Sequence, residues 1–195
     1  MGSPGTALAR TAREVARCVR HPPVRRDLMA EWQRRIRGRP PPLPEGPLQR
    51  VLTVCHGNIA RSAFAGALLS ARAPHLSVRS GGLKAEEGRP ADEAAVRTAT
   101  GFDTNLASHR AHAVTAEDVE WADLILVMQG RHVVESGRRW PQASARVRLL
   151  GDYLDEPPFV IADPWGHGDD VFRLVFDRIE RAVGLLVPSL EDASR

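Results

Sequence analysis

One stretch, Val51-Leu-Thr-Val-Cys55-His-Gly-Asn-Ile-Ala-Arg61-Ser62, restricts the possible folds more than any other part of the chain. Apolar and β-branched residues end at Cys55, a short loop holds Gly57 and Asn58, and Ser62 opens an Ala/Leu-rich run. The pattern predicts a strand over 50–54 and a helix over 62–72. A loop between a strand end and a helix N-terminus gathers backbone N–H groups, and the helix dipole adds to their positive field, so anions settle there. Arg61, six residues after Cys55, contributes a planar fork suited to a phosphate-like oxyanion. The same field favours the thiolate of Cys55, the nucleophilic form of that side chain. A buried, inert thiol is the plainer alternative for a free cysteine. The strand, the Gly57-Asn58 loop and Arg61-Ser62 together argue against it. Cys18 has Val24 six residues on and offers no such loop.

From Gln49 onward strands alternate with helices. Leu76–Arg79 reads as a short strand and Ala91–Thr100 as a helix, while Thr115-Ala-Glu-Asp118 has the form of a capped helix start. Leu124–Val127 and Arg146–Leu150 read as two further strands. Val171, Leu174, Val175, Ile179, Val183 and Leu186 mark a final amphipathic helix. The alternation predicts an α/β fold with an open parallel sheet and helices on both faces. Ligands of such sheets bind beyond the carboxyl ends of the strands, where Cys55 falls.

Residues 1–48 differ in kind and are expected to form a basic N-terminal helical extension to a domain over 49–195. Leu8, Ala12, Val15, Ala16 and Val19 recur at helical spacing opposite arginines. Val24, Leu28, Met29, Trp32 and Ile36 make a second such pattern, and Pro40–Pro44 a stiff connector. The extension holds ten arginines against four acidic residues, so the rest of the chain is net acidic although the total is +3. A nucleic-acid partner is therefore not expected. The extension reads as a solvated or packed appendage, or as a segment that docks to an acidic partner or an anionic surface. No run approaches a membrane span, no secretory leader is evident, and two cysteines make no disulfide scaffold. With a thiolate nucleophile, these features predict a cytoplasmic protein. His109 and His112 have helical metal-ligand spacing but no third ligand in view, so no metal and no cofactor are expected.

Cys55–Ser62, Ser80-Gly-Gly-Leu, Ser108-His-Arg-Ala111, Ala122–Met128 and Ile161-Ala-Asp-Pro-Trp-Gly166 follow one another in an order and at intervals that have a counterpart. From about Gln49 to Leu190 the chain resembles the low-molecular-weight protein tyrosine phosphatases. The resemblance implies a four-stranded parallel sheet in the order 2-1-3-4 and hydrolysis of protein phosphotyrosine, or a related aryl phosphate, through a phosphocysteine. It makes Cys55 the nucleophile. The loop of His56, Gly57, Asn58, Ile59 and Ala60 binds the phosphate together with Arg61. Ser62 would donate a hydrogen bond to the Cys55 sulfur, a plain helix cap being its simpler role. Asp163 becomes the general acid and then the base. Asn58 holds the loop in shape, supported by Ser80 and His109. Trp165 stands where Tyr is common, lining one wall of a slot for a phenyl ring or simply covering the core.

The chain also departs from the family. The opposite wall falls near Ala85 or Glu86, without an aromatic, as in some bacterial members linked to exopolysaccharide production. Acidic Glu86 and Glu87 near the rim predict poor handling of acidic peptides. Ala60 replaces a second loop cysteine, which leaves an oxidised Cys55 without a resolving thiol in the loop. Arsenate reductases of this scaffold need further cysteines, and none follows Cys55. Arginine-phosphate phosphatases carry Thr where this chain has Ile59. A non-catalytic phosphopeptide-binding module is the alternative from a different class. The partner implied at family level is a phosphotyrosine protein, such as a tyrosine kinase of polysaccharide export.

Overall fold

The computed structural model describes residues 42–156 and 159–193. The two helical patterns expected before residue 40 therefore lie outside the described residues. Four parallel strands form the sheet: β1 (Arg50–Cys55), β2 (Ser77–Gly82), β3 (Leu124–Val127) and β4 (Val147–Leu149), in the order β2-β1-β3-β4. Helices α1 (Arg61–Arg72), α2 (Glu93–Ala99), α3 (Ala116–Trp121), α4 (Gly130–Arg139) and α5 (Asp169–Ala193) connect and follow the strands. The expected fold and strand order are those observed.

Strand alternation divides the core in two. Val51, Leu124 and Leu126 face α1 and α5, whereas Leu52, Val54, Ile125 and Val127 face the side where Val119, Val133 and Trp140 pack. On the first face Phe64 of α1 stacks on Phe176 of α5 with ring centroids 3.9 Å apart, and Phe102 and Phe172 meet Phe176 edge-on. Such burial is worth about 1.5–3 kcal/mol per large apolar side chain. This fixes α1, and with it the loop after β1.

Three elements differ from the sequence pattern. β2 runs on through Gly81 and Gly82, which pair with Val54 and Cys55. A Cβ at Gly82 would stand 2.7 Å from the His56 carbonyl oxygen and 2.9 Å from the Asn58 nitrogen, so glycine is what lets β2 approach the loop. α4 has no apolar periodicity, because its buried residues are His132 and Ser136. α5 continues through Pro188 to Ala193, since Leu190 is fully buried and its packing outweighs the lost N–H.

The end of the proline-rich connector belongs to the folded body. Leu48 is buried in the core, Leu43 packs against it, and the Pro42 carbonyl accepts a 2.7 Å hydrogen bond from Arg148 Nε of β4. The core thus begins before residue 49. No helix among the described residues is long and apolar enough to cross a membrane.

Candidate active site

The loop from Cys55 to Arg61 closes over the carboxyl end of β1. The N-cap position of α1 is Ala60, which makes no side-chain cap bond. An anion can thus serve as the capping group. Ser62 lies inside the first turn of α1, so it is not the cap. Its Oγ is 3.0 Å from Cys55 Sγ, and the Asn58 N–H donates to the same sulfur at 3.3 Å. The buried sulfur thus accepts from the Asn58 N–H and has the Ser62 hydroxyl within hydrogen-bond reach. The Ser62 hydroxyl has a single proton and also lies 3.1 Å from the Gly81 carbonyl. A thiolate draws that proton to sulfur.

Asn58 is the hub of the rear wall. It adopts φ +53°, a left-handed conformation that Asn tolerates better than most residues. Both amide protons are used, by Ser62 Oγ at 2.9 Å and Ser80 Oγ at 3.0 Å. Its Oδ1 accepts from the His112 N–H at 2.9 Å, which sets the orientation of the amide. The Asn58 carbonyl accepts from His109 Nε2 at 2.7 Å, so His109 carries its proton on Nε2. Burial lowers the His109 pKa, against the opposing effect of that hydrogen bond.

Ser80 and His109 thus both bond to Asn58, and His112 adds a backbone contact that sequence did not suggest. The His112 ring is held between Asp118 (Nε2–Oδ2 2.8 Å) and Glu87 (Nδ1–Oε1 3.2 Å). Its pKa is raised, chiefly by the Asp118 hydrogen bond. Burial works against the Asp118 carboxylate, but bonds from the Thr115 backbone, His112 and the Thr115 hydroxyl bring its pKa to about 2. The Thr115/Asp118 capping box is thus formed and joined to the rear wall. These contacts take up the two histidines whose spacing resembled a metal motif.

The front of the site is charged. Arg61 is buried, its Nη1 bonding to Gln129 Oε1 at 2.7 Å and to the Ile161 carbonyl at 3.3 Å. Its Nη2 forms an ion pair with Asp163. Gln129 Oε1 also accepts from Arg131 Nη2 at 2.7 Å, and Arg131 Nη2 lies 3.5 Å from Asp163 Oδ2. Arg61, Gln129, Arg131 and Asp163 therefore close a ring. The Asp163 loop is tied to the sheet where the Ile161 N–H meets the Met128 carbonyl at 3.1 Å. Neither Gln129 nor Arg131 was picked out in the sequence; their place just after β3, at the carboxyl edge of the sheet, was the available signal. His132, beneath them, is buried, and burial followed by the charges of Arg61, Arg131 and His56 lowers its pKa to about 2, leaving the ring neutral.

Around the mouth, His56 is exposed, Gly57 and Ile59 are half-buried and Ala60 is buried. Trp165 is 61% exposed, which rules out a role as a core cover. Its backbone N–H approaches Asp163 Oδ1 at 3.4 Å, which ties the turn after Pro164 to the carboxylate. Glu87 accepts from the Ala113 N–H at 2.8 Å as well as from His112, and Glu86 lies 3.6 Å from Arg89. The two rim carboxylates are thus engaged with neighbouring donors.

A parallel sheet that presents a Cys-x5-Arg loop beside a carboxylate defines a thiol-dependent phosphatase, and the comparisons name the group. Residues 50–195 match the family model described as low molecular weight phosphotyrosine protein phosphatase. A probable low molecular weight protein-tyrosine-phosphatase, EpsP of Ralstonia nicotianae, is 38% identical over 143 residues, covering 73% of this chain and 97% of that protein. The crystal structure of the tyrosine phosphatase AmsI from Erwinia amylovora superposes with a TM-score of 0.70 at 35% identity, covering 73% of this chain and 93% of that one. The YwlE arginine phosphatase of Geobacillus stearothermophilus gives 0.69 at 31% identity, covering 74% and 94%. The chain belongs to the low-molecular-weight protein-tyrosine-phosphatase family, and it is an enzyme of that family's phosphatase type.

Proposed function

We propose that the chain hydrolyses protein phosphotyrosine through Cys55, Arg61 and Asp163. The observation that carries this reading is the meeting of three groups at one loop. The Cys55 sulfur accepts from the Asn58 N–H with the Ser62 hydroxyl 3.0 Å away, a buried guanidinium ends the loop, and a carboxylate lies on that guanidinium.

The substrate phosphate displaces Asp163 from Arg61, taking the fork and the loop N–H groups. The Cys55 thiolate attacks phosphorus in line, the S–P bond forms and the P–O(aryl) bond breaks. Protonated Asp163 gives its proton to the leaving phenolate oxygen. Water then attacks phosphorus while the Asp163 carboxylate takes its proton, the S–P bond breaks, and phosphate and thiolate are released. Trp165, exposed and two residues after Asp163, supports an aryl substrate by offering a flat apolar face.

The family likeness suggests a tyrosine kinase of polysaccharide export as substrate. The lack of a membrane-spanning helix among the described residues is compatible with a cytoplasmic location. The arginine-rich residues ahead of Pro42 are read as a docking segment for an acidic partner or an anionic surface, on their arginine content alone.

The test is hydrolysis of p-nitrophenyl phosphate across about pH 5–8, with phosphotyrosine and phosphoarginine peptides alongside. Cys55→Ser is expected to abolish turnover, and Asp163→Asn to slow it by about 10²- to 10⁴-fold. Activity that survives Cys55→Ser would overturn the mechanism. A silent wild type that still binds vanadate would indicate a binding module, and preference for phosphoarginine would move the substrate class.

A further inference from the structure

The mouth of the site carries more positive charge than one phosphate needs. Arg61 alone is buried against the loop, whereas Arg131 is 44% exposed. Lys84 and His56 are exposed and joined to each other, the Lys84 N–H donating to the His56 carbonyl at 2.8 Å. The groups lie close enough for Arg131, Lys84 and Arg61 each to lower the His56 pKa, after the larger effect of burial and against the opposing effect of Asp163. The exposed carboxylates of Glu86 and Glu87 turn to other partners, Glu87 by hydrogen bonds and Glu86 by a loose surface pair. Glu87 is held by His112 and the Ala113 N–H, and Glu86 lies near Arg89.

Arg131 also changes partners during the proposed reaction. In the resting site it shares the Asp163 carboxylate with Arg61 and gives one hydrogen bond to Gln129. When Asp163 is protonated to act as the acid, Arg131 loses its carboxylate partner. Its guanidinium, 44% exposed, still presents donors toward solvent. Because Arg61 and Arg131 share one carboxylate, a phosphate seated on Arg61 brings the flanking residues of its peptide within reach of Arg131.

We propose that Arg131, aided by Lys84 and His56, reads a second anionic group on the substrate, so that phosphotyrosine flanked by a carboxylate or by another phosphate is preferred. This rests on the phosphatase reading above and reverses the sequence expectation drawn from Glu86 and Glu87. Arg131 acts as a specificity residue: the anion takes the place that Asp163 leaves.

The experiment compares three phosphotyrosine peptides that differ only beside the phosphotyrosine: neutral, with adjacent Asp and Glu, and with a second phosphotyrosine. p-Nitrophenyl phosphate is the common reference. The wild type is expected to favour both anionic peptides over the neutral one by about 10-fold in kcat/KM, as expected for a charge-assisted contact. The preference falls to about 2-fold or less in Arg131→Gln, is partly kept in Arg131→Lys, and shrinks in about 0.5 M salt. Preference for only one of the two anionic peptides identifies the group that is read. An equal loss on all substrates in Arg131→Gln would show that Arg131 only positions Asp163, and would overturn the proposal. So would a wild type that hydrolyses the reference through Cys55 without preference, a result that leaves the phosphatase reading intact. Peptide binding to Cys55→Ser, followed by fluorescence anisotropy, decides the anion preference separately. A protein that binds the anionic peptides more tightly but hydrolyses nothing would keep this inference and remove the catalytic one.

Discussion

The two sides of the phosphate loop are built from different chemistry. Behind it, Asn58, Ser62, Ser80 and His109 form a neutral net in which every proton of the Asn58 amide has an acceptor. In front, Arg61, Gln129, Arg131 and Asp163 form a charged ring open to water, with the Asp163 side chain 35% exposed. Neutral hydrogen bonds in a buried place fix geometry and are costly to leave unmade. The pair between the exposed Arg131 and Asp163 is worth little and exchanges readily, and the buried Arg61 can take another anion in place of the carboxylate. The rear therefore sets the shape of the site, while the front can trade one anion for another. The contrast separates what must stay still during catalysis from what must move.

Asn58→Ala should break the rear most completely. It removes two donated and one accepted hydrogen bond and leaves a left-handed φ to a residue that disfavours it. Turnover should fall by about 10²-fold or more through misplacement of the loop. Thermal unfolding should show a loss of about 2–3 kcal/mol. An active, fully stable variant would mean that the loop keeps its shape without the net.

At the front, Gln129→Leu should cost less. Arg61 keeps the Ile161 carbonyl and Asp163, so turnover of p-nitrophenyl phosphate should fall by about 10-fold, with a stability loss of about 1 kcal/mol from the lost buried bond. If its stability loss matched that of Asn58→Ala, the distinction between the two sides would fail.

The smallest effect is a pH dependence at the edge of the rear. His112 has a raised pKa, so its contribution is fully present below the ordinary histidine value of about 6.5 and is lost as pH rises through the folded value. Asp118, at about 2, contributes above the ordinary carboxylate value and loses that contribution as pH falls toward its own. The link is strongest between roughly pH 4 and 6.5. The difference in melting temperature between wild type and His112→Gln should be largest in that window and narrow at higher pH. Taking the difference cancels His56 and His109, whose lowered values act in the opposite sense. A gap that stays constant with pH would show that the ring's charge does not matter.

Most of the fold could be read from the chain because its buried strands are short apolar runs and its large helices are amphipathic. β3 falls at Leu124–Val127 as expected, and Thr115 and Asp118 announce their capping box. Cys55, Asn58 and Ser62 were legible because a strand, a loop and a helix converge on them within a few residues. The front ring was legible only in part. Arg61 stood in the loop motif and Asp163 came with the family resemblance, but Gln129 and Arg131, at the start of α4, lie more than thirty residues from Asp163, and a polar residue that binds an arginine leaves no periodic trace. α4 escaped for the same reason, as its inward face is His132 and Ser136. The double glycine of β2 reads locally as a turn, and only the closeness of the phosphate loop explains why it is strand.

The ion pair between Asp163 and Arg61 gives the resting enzyme an internal competitor. An anion from solution meets a fork that is already occupied for part of the time. Its apparent affinity is lowered by the fraction of molecules in which the fork is closed. A phosphoester brings a further ring contact and binds in spite of this. Free phosphate, left without its aryl group after the second step, has no such help. The carboxylate that serves as acid and base is thus also placed to evict the product and reset the site for the next turnover.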